Sequence, residues 1–417
     1  MDYDKLIHDW NKAEGFDLPP GRKYMLDDES LRDGLQSPSV LDPPIEEKIE
    51  ILHLMDTLGI DSVNLGLPGA GPRAVADVER LAKEIVRARL KIRPNCAART
   101  VEADIRPIAE ISERAGIAIE AATFLGSSPI RRYAEDWTVD FLLRTTEHAV
   151  TYARKLGLPV MYVTEDTTRC DPDTVKKLYT TAIRCGAEAA VVCDTVGHIT
   201  PRGVKALVRF IKEEVVSPTG AKIRIDWHGH RDRGLAVANS LAAFEAGADQ
   251  VHGCALGIGE RVGNTPIDLV LVNLKLAGAI DRDLTRLGEY CEKVSRATGV
   301  PIPANYPVVG RDAFRTATGV HAAAVIKAYR KNDVQLANSV YSGVPSHLFG
   351  REQVIEIGPM SGKSNVIYWL EKRGLPATEE LVERIFNVAK QSDRLLTEDE
   401  LLALCGPALK AAARDAH

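Results

Sequence analysis

His228 and His230, separated by one glycine, close the short run IRIDW. Residues i and i+2 of a strand point to the same side, so two imidazoles placed there converge on one point. Asp33, in the segment LRDG about two hundred positions earlier, closes another strand-like run, YMLDDES. Two imidazoles and a carboxylate brought from distant strand ends form a divalent-metal site with coordination positions left open for substrate. An isolated HxH pair also occurs as surface or capping histidines, so the assignment depends on the elements that carry it.

Other polar residues stand at matching places. Arg32 neighbours Asp33 and could lay a guanidinium over oxygen charge developing at the metal, or pair with Asp27, Asp28 or Glu29. Glu165 ends the run VMYVTE, and Thr195 follows AAVVCD as a site residue, a helix cap or a turn. Asn264 closes GIGERVGN and could add a side-chain oxygen to the metal. Gly257, Gly259 and Gly263 let that loop approach a ligand or simply turn. GPMSGKS has Ile357 where a phosphate loop needs its first glycine, and GIGERVG misses GxGxxG by one residue, so neither supports nucleotide binding. Cys254, in an apolar run without an evident base, reads as a buried thiol.

The elements that must position these residues alternate. Strands are predicted over Tyr24–Asp28, Ser62–Gly66, Lys91–Cys96, Ala118–Phe124, Val160–Glu165, Ala189–Asp194, Ile223–His228 and Gln250–Ala255. Helical periodicity fills the intervals at 44–58, 74–88, 101–115, 139–156, 172–185, 201–215 and 234–246, with an eighth segment at 266–276. Pro44, Pro172 and Pro201 sit in first turns, with Asp171 or Thr200 just ahead. Gly59, Gly116, Gly157, Gly186 and Gly247 stop helices before the next strand. Eight such units predict an α/β fold, a (β/α)8 TIM barrel with its site at the carboxyl ends of the strands. An open doubly wound sheet would carry a glycine-rich loop after its first strand, and LRDG is not one. Beyond Ile280 the pattern becomes helical segments and Pro-containing loops. The predicted organisation is an N-terminal extension at 1–22, the catalytic barrel at 23–282 and a smaller, mostly helical C-terminal region at 283–417.

Composition bounds the function. With 45% hydrophobic and 27% charged residues over 417 positions, the chain is long enough for a large core. A net charge of -5 provides no global field for nucleic acid or an anionic membrane. Seven dispersed cysteines without a CxxC pair fit reduced thiols. The start of the chain has no apolar signal core and no run is long enough to span a bilayer, so a cytoplasmic protein is expected, without nucleic-acid or membrane partners.

Taken together, ESLRDGLQSP, TFLGSSPI, VTEDTTRCDPD, CDTVGHITP, the long block from His228 to Asn264 and ATGVHAAAVIKA resemble the 2-isopropylmalate synthase and homocitrate synthase family of the DRE-TIM metallolyase superfamily. The likeness runs from about Asp27 to Lys363. It implies a Claisen condensation of acetyl-CoA, the co-substrate, with a 2-oxo acid, followed by thioester hydrolysis, at one divalent ion (Mg, Mn or Zn) per subunit. It implies Asp33, His228 and His230 as metal ligands with Asn264 in or near the shell. It assigns Arg32 to the 2-oxo acid carbonyl and developing alkoxide, Thr195 to the substrate carboxylate, and Glu165, His321 and Tyr341 to acid–base work. The tail histidine comes from the partner subunit in that family, which implies an intertwined homodimer. A chain ending at His417 is expected to lack the leucine-sensing domain of many isopropylmalate synthases.

Departures from the family pattern concern the substrate. Ala122 replaces a usual histidine, Asn64 an acid and Val163 a serine, while Met161 stands where homocitrate synthases present an arginine to a distal carboxylate. That last change argues against 2-oxoglutarate. Arg131, Arg132, Arg231 and Arg233 could meet an anionic group or be solvated rim charges. Lyases and aldolases resembling 3-hydroxy-3-methylglutaryl-CoA lyase or 4-hydroxy-2-oxovalerate aldolase share the barrel and triad, and GIGERVGN with His321 favours the synthase. A non-catalytic barrel is the third reading, motivated by Ala122, Asn64 and Val163.

Overall fold

A computed structural model describes residues 6–12, 18–19 and 21–406. Part of the N-terminal extension and residues 407–417 therefore lie outside the described residues. Eight parallel strands close into a barrel in chain order: β1 (Met25–Asp28), β2 (Ser62–Asn64), β3 (Arg93–Arg99), β4 (Glu120–Gly126), β5 (Val160–Glu165), β6 (Ala189–Asp194), β7 (Arg224–Gly229) and β8 (Gln250–Gly253). Closure pairs β1 with β8, Asp27 opposite His252, and sets Cys193 of β6 opposite His228 of β7. All eight strands occur where the alternation of apolar runs places them.

The outer helices are α1 (Ile45–Thr57), α2 (Pro72–Ala88), α3 (Glu102–Ala115), α4 (Pro129–Glu135), α5 (Val139–Lys155), α6 (Pro172–Arg184), α7 (Pro201–Phe210), α8 (Ala236–Ala246), α9 (Ile267–Leu276) and α10 (Leu287–Thr298). Their ends follow local chemistry. The Asp171 carboxylate accepts from the Thr174 amide at 2.9 Å at the start of α6, and Gly116 and Gly247 stop α3 and α8 at φ of 70° and 114°. Thr200 is the N-cap of α7, but its side chain makes no capping bond. The expected helix over 201–215 is α-helical only to Phe210 and passes into a π-turn over Ile211–Val216. Helix α4, absent from the sequence reading, begins where the Ser128 hydroxyl accepts from the Arg131 amide.

Strand alternation sorts the barrel side chains. Leu26, Val63 and Val251 are fully buried, and burying each such side chain contributes about 1.5–3 kcal/mol. Inside the barrel the floor is polar: Asp27 accepts from Asn95 at 2.7 Å, and Arg224 bridges Asp226 at 2.9 Å and Glu120 at 3.0 Å. Helix α10, which the sequence reading puts beyond the barrel, belongs to the barrel unit from Glu289 onward, and its Tyr290 donates to the Asp28 carboxylate.

Contacts divide the chain into two units. The first comprises the residues up to Arg282 with Glu289–Pro301; the second comprises Asp283–Gly288 and the residues from Ile302 onward. The second unit is mostly helical: α11 (Gly319–Arg330), α12 (Val334–Ser339), α13 (Lys363–Lys372), α14 (Glu379–Gln391) and α15 (Glu398–Cys405), with the two-residue parallel strands β9 (Arg315–Thr316) and β10 (Val354–Ile355). Trp369, Leu370, Ile385 and Leu401 lie in one of its apolar clusters and Val325, Ile326 and Ile355 in another. Among the described residues no helix is long and apolar enough to cross a membrane.

Candidate metal centre at the barrel mouth

The two histidines stand as the strand geometry requires. His228 is the penultimate residue of β7 and His230 follows its end; their Nε2 atoms lie 3.3 Å apart. Asp33 Oδ2 is 3.4 Å from His228 Nε2 and 4.0 Å from His230 Nε2. All three residues are buried. Asp33 does not close a strand, as its run suggested. Strand β1 ends at Asp28, and Asp33 is delivered by the following turn, at the entry to a 3-10 helix over Gly34–Gln36.

The donor set fits a divalent ion. Three buried ligand atoms, two imidazole nitrogens and a carboxylate oxygen, lie within 4.8 Å of one another. Burial, reinforced by neighbouring His228, pulls the His230 imidazole down to about 4, so it is neutral and able to ligate at pH 7. Asn264 is drawn beside His230 by an isolated bridge. Its amide nitrogen donates to the Ile258 carbonyl at 3.1 Å, whereas its Oδ1 is buried with no hydrogen-bond partner. The glycines of the β8 loop permit this approach: a Cβ on Gly263 would lie 1.8 Å from the Gly257 carbonyl oxygen, and one on Gly259 would lie 2.2 Å from Asn264 Nδ2.

Glu29 organises the trio, although the sequence reading named it only as a competing partner for Arg32. It directly follows β1. Its Oε2 lies 2.8 Å from His228 Nδ1 and its Oε1 accepts from Arg32 Nη2 at 2.6 Å. A carboxylate on Nδ1 selects the tautomer whose Nε2 lone pair faces Asp33 and His230. Burial alone would raise the Glu29 carboxyl, but Arg32 and His228 hold it well below the usual carboxylate range. Arg32 also reaches Asp33 Oδ2 with Nη1 at 3.3 Å. Against the cost of burial, Glu29 and Asp33 raise its pKa and keep it charged. Arg32 is thus paired with Glu29 and faces the cavity too.

His252 of β8 also escaped sequence reading. It lies 3.6 Å from Glu29 and 3.5 Å from Asp226. Burial opposes its charge, but Asp27, Asp226 and Glu29 push it up to about 10, so it is an imidazolium rather than a ligand at neutral pH. Period-two alternation was the available signal: once Asp27 points inward, so do Glu29, two residues on, and His252, opposite Asp27 on β8.

A cavity of about 240 Å³ opens above this cluster, lined among others by Arg32, Asp33, Glu165, Thr195, His228 and His230. That volume suits a small metabolite, drug-sized sites being roughly 300–1,000 Å³. Ala122, Met161 and Val163 also line it. Burial raises the Glu165 carboxyl, making it a stronger base than an ordinary glutamate. The Thr195 hydroxyl accepts from the Asp166 amide at 2.8 Å, which leaves its proton free to donate. His321 and Tyr341 belong to the second unit, where their rings stack 4.1 Å apart on exposed surface. The rim arginines are engaged: Arg231 donates to Val262 and Leu256 carbonyls, Arg233 to that of His198, and Arg131 and Arg132 pair with Glu135 and Asp171. None of these four lines the cavity. Cys254 is fully buried and its thiol is pushed well up by burial, as expected of an inert position.

A closed parallel barrel with one carboxylate and two imidazoles at its carboxyl rim defines a class of candidate metal-dependent enzymes. The HMGL-like family model matches residues 23–292, and the chain belongs to that family. Homocitrate synthase AksA of Methanopyrus kandleri is 34% identical over 376 residues, 90% of this chain and 88% of its own. The 2-isopropylmalate synthase of Pyrococcus abyssi is 33% identical over 398 residues, covering 92% and 77%. Among solved structures, the HMG-CoA lyase of Bacillus subtilis shares the fold, with a TM-score of 0.57 at 20% identity over 69% of this chain and 97% of its own.

Proposed function

We propose that the chain condenses acetyl-CoA with a 2-oxo acid and hydrolyses the resulting thioester, yielding a 2-substituted malate and CoA. The convergence of Asp33, His228 and His230 beside the charged Arg32, at the wall of a small cavity, carries this reading. Synthase names on relatives about one-third identical over most of their length support it. Asp33, His228 and His230 would hold one magnesium, manganese or zinc ion, with Asn264 Oδ1 beside them. Such an ion supplies Lewis acidity toward a ketone oxygen.

The side chains account for the remaining steps. Thr195 donates to the 2-oxo acid carboxylate. Glu165, with His321 and Tyr341, serves proton transfer at acetyl-CoA. As a proton leaves the acetyl methyl, its carbon bonds to C2 of the oxo acid and the C=O electron pair moves to oxygen. Arg32, fixed by Glu29 and Asp33, stabilises that charge until the oxygen is protonated. Water then adds to the thioester carbonyl and CoA leaves as the thiol. The exposed, stacked His321 and Tyr341 are assigned to a neighbouring copy's site, so an intertwined homodimer is part of the proposal.

Purified protein with Mn²⁺, acetyl-CoA, a panel of 2-oxo acids and a thiol reagent tests it. Thiol release requiring both the oxo acid and the metal is expected. No release with any member of the panel, from protein verified to carry metal, overturns the assignment. Cleavage of a 3-hydroxyacyl-CoA under the same conditions would identify a lyase instead.

A further inference from the structure

The barrel mouth has two chemically opposite halves. Residues on and just after β7, on β8 and in the segment after β1 supply most of its charge: Glu29, Arg32, Asp33, His228, His230 and His252. Facing them, β3 to β6 supply an apolar wall of Ala97, Ala122, Met161, Val163, Val191 and Cys193, with the Glu165 carboxyl at the end of β5 beside it. Apart from half-buried Val163 the wall residues are at most 5% exposed, and the Cys193 thiol is the only polar group among them. Parallel alternation produces this wall, because residues two apart on β5 (Met161, Val163) and β6 (Val191, Cys193) face the same interior.

Resting on the reading that the substrate is a 2-oxo acid, we propose that this wall receives the acid's side chain and selects a branched, uncharged aliphatic one. With the keto oxygen held on the charged half and the carboxylate at Thr195, just past β6, the side chain projects against the wall. A second carboxylate there would find no free cation. Among the described residues Arg32 is the one arginine lining the cavity, its terminal nitrogens taken by Glu29 at 2.6 Å and Asp33 at 3.3 Å, and the His252 ring is held by Glu29 at 3.6 Å and Asp226 at 3.5 Å. A longer anionic chain would meet Glu165 or Glu260, two further carboxylates lining the cavity. Desolvating an unpaired carboxylate opposes binding, whereas each added methylene on an apolar wall strengthens it. Such a wall separates relatives that sequence identity leaves mixed. Homocitrate bears three carboxylates, so an oxo acid giving it must bring a second one, whereas the oxo acid giving 2-isopropylmalate brings an isopropyl group.

The test is calorimetric binding of 3-methyl-2-oxobutanoate, pyruvate and 2-oxoglutarate to Mn²⁺-loaded protein without acyl-CoA, alongside thiol release with acetyl-CoA. The branched acid is expected to bind at least about tenfold more tightly than pyruvate and about a hundredfold more tightly than 2-oxoglutarate. Ala122→Leu should reduce the branched-to-pyruvate ratio about tenfold by filling the wall. Preferential binding without thiol release would retain the pocket and reject the condensation. Preference for 2-oxoglutarate or pyruvate overturns the pocket, whether or not thiol is released. Binding of none of the three overturns it as well, and so does an Ala122→Leu variant with an unaltered ratio.

Discussion

Replacing Glu29 by glutamine changes one oxygen to an NH₂ group at the point where the metal trio is oriented. Glu29 faces His228 Nδ1 at 2.8 Å and Arg32 at 2.6 Å, both deep in the barrel. The amide has one acceptor for two donors, so either orientation sets an NH₂ against an N–H. If it faces His228, the imidazole must take the other tautomer, which puts a proton on Nε2 between Asp33 and His230. If it faces Arg32, the guanidinium loses its strongest partner. Each case forfeits a charge-assisted hydrogen bond of about 1.5–3 kcal/mol. Outer-sphere partners of ligating histidines typically change metal affinity by about 10–100-fold, or roughly 1.4–2.7 kcal/mol. Titrating Mn²⁺ into chelator-stripped wild type and Glu29→Gln, with thermal unfolding as a check on folding, measures the loss. A variant that melts normally and binds Mn²⁺ within about twofold of wild type would refute the orienting role.

Three further outcomes follow from the same geometry. Arg32→Lys replaces a guanidinium that spans Glu29 and Asp33 with a point charge that cannot; steady-state kinetics should show kcat lower by about 10²–10³ with KM changed much less. Gly263→Ala would force a Cβ against the Gly257 oxygen at φ 104°, so calorimetric melting should fall by several degrees, while Gly220→Ala, where nothing lies within 4 Å, should cost far less. Burial pushes the Asp28 carboxyl up to about 7, so the folded state holds this proton more tightly than the unfolded chain, and stability falls as pH rises from about 4 to 7. Asp28→Asn should therefore melt a few degrees above wild type at pH 8 and level with it near pH 4; a constant offset across that range would contradict the cause.

The parts legible in the sequence are those governed by local rules. Barrel strands appear as apolar runs because both faces of a parallel sheet are covered, and the glycines after the helices appear because a left-handed residue is needed there: Gly59, Gly116, Gly157, Gly186 and Gly247 all have positive φ. The HxH pair was legible for the same reason, two residues on one strand having a fixed relation. Asp33 was found by its type but given the wrong support, since a turn can present a carboxylate as well as a strand end can. Glu29 and His252 were missed because their function depends on closure. In sequence Glu29 is one of three consecutive acids and His252 one histidine in an apolar run, and only the pairing of β1 with β8 puts both beside His228. The apolar wall was missed similarly. Ala122 and Met161 read as departures from a family pattern one at a time, but with Val191 and Cys193 across adjacent strands they form a continuous surface. Substrate choice therefore belongs to the barrel cross-section, which no single segment encodes, and a substitution on β6 such as Val191→Phe should alter selectivity through the same surface as one at Ala122.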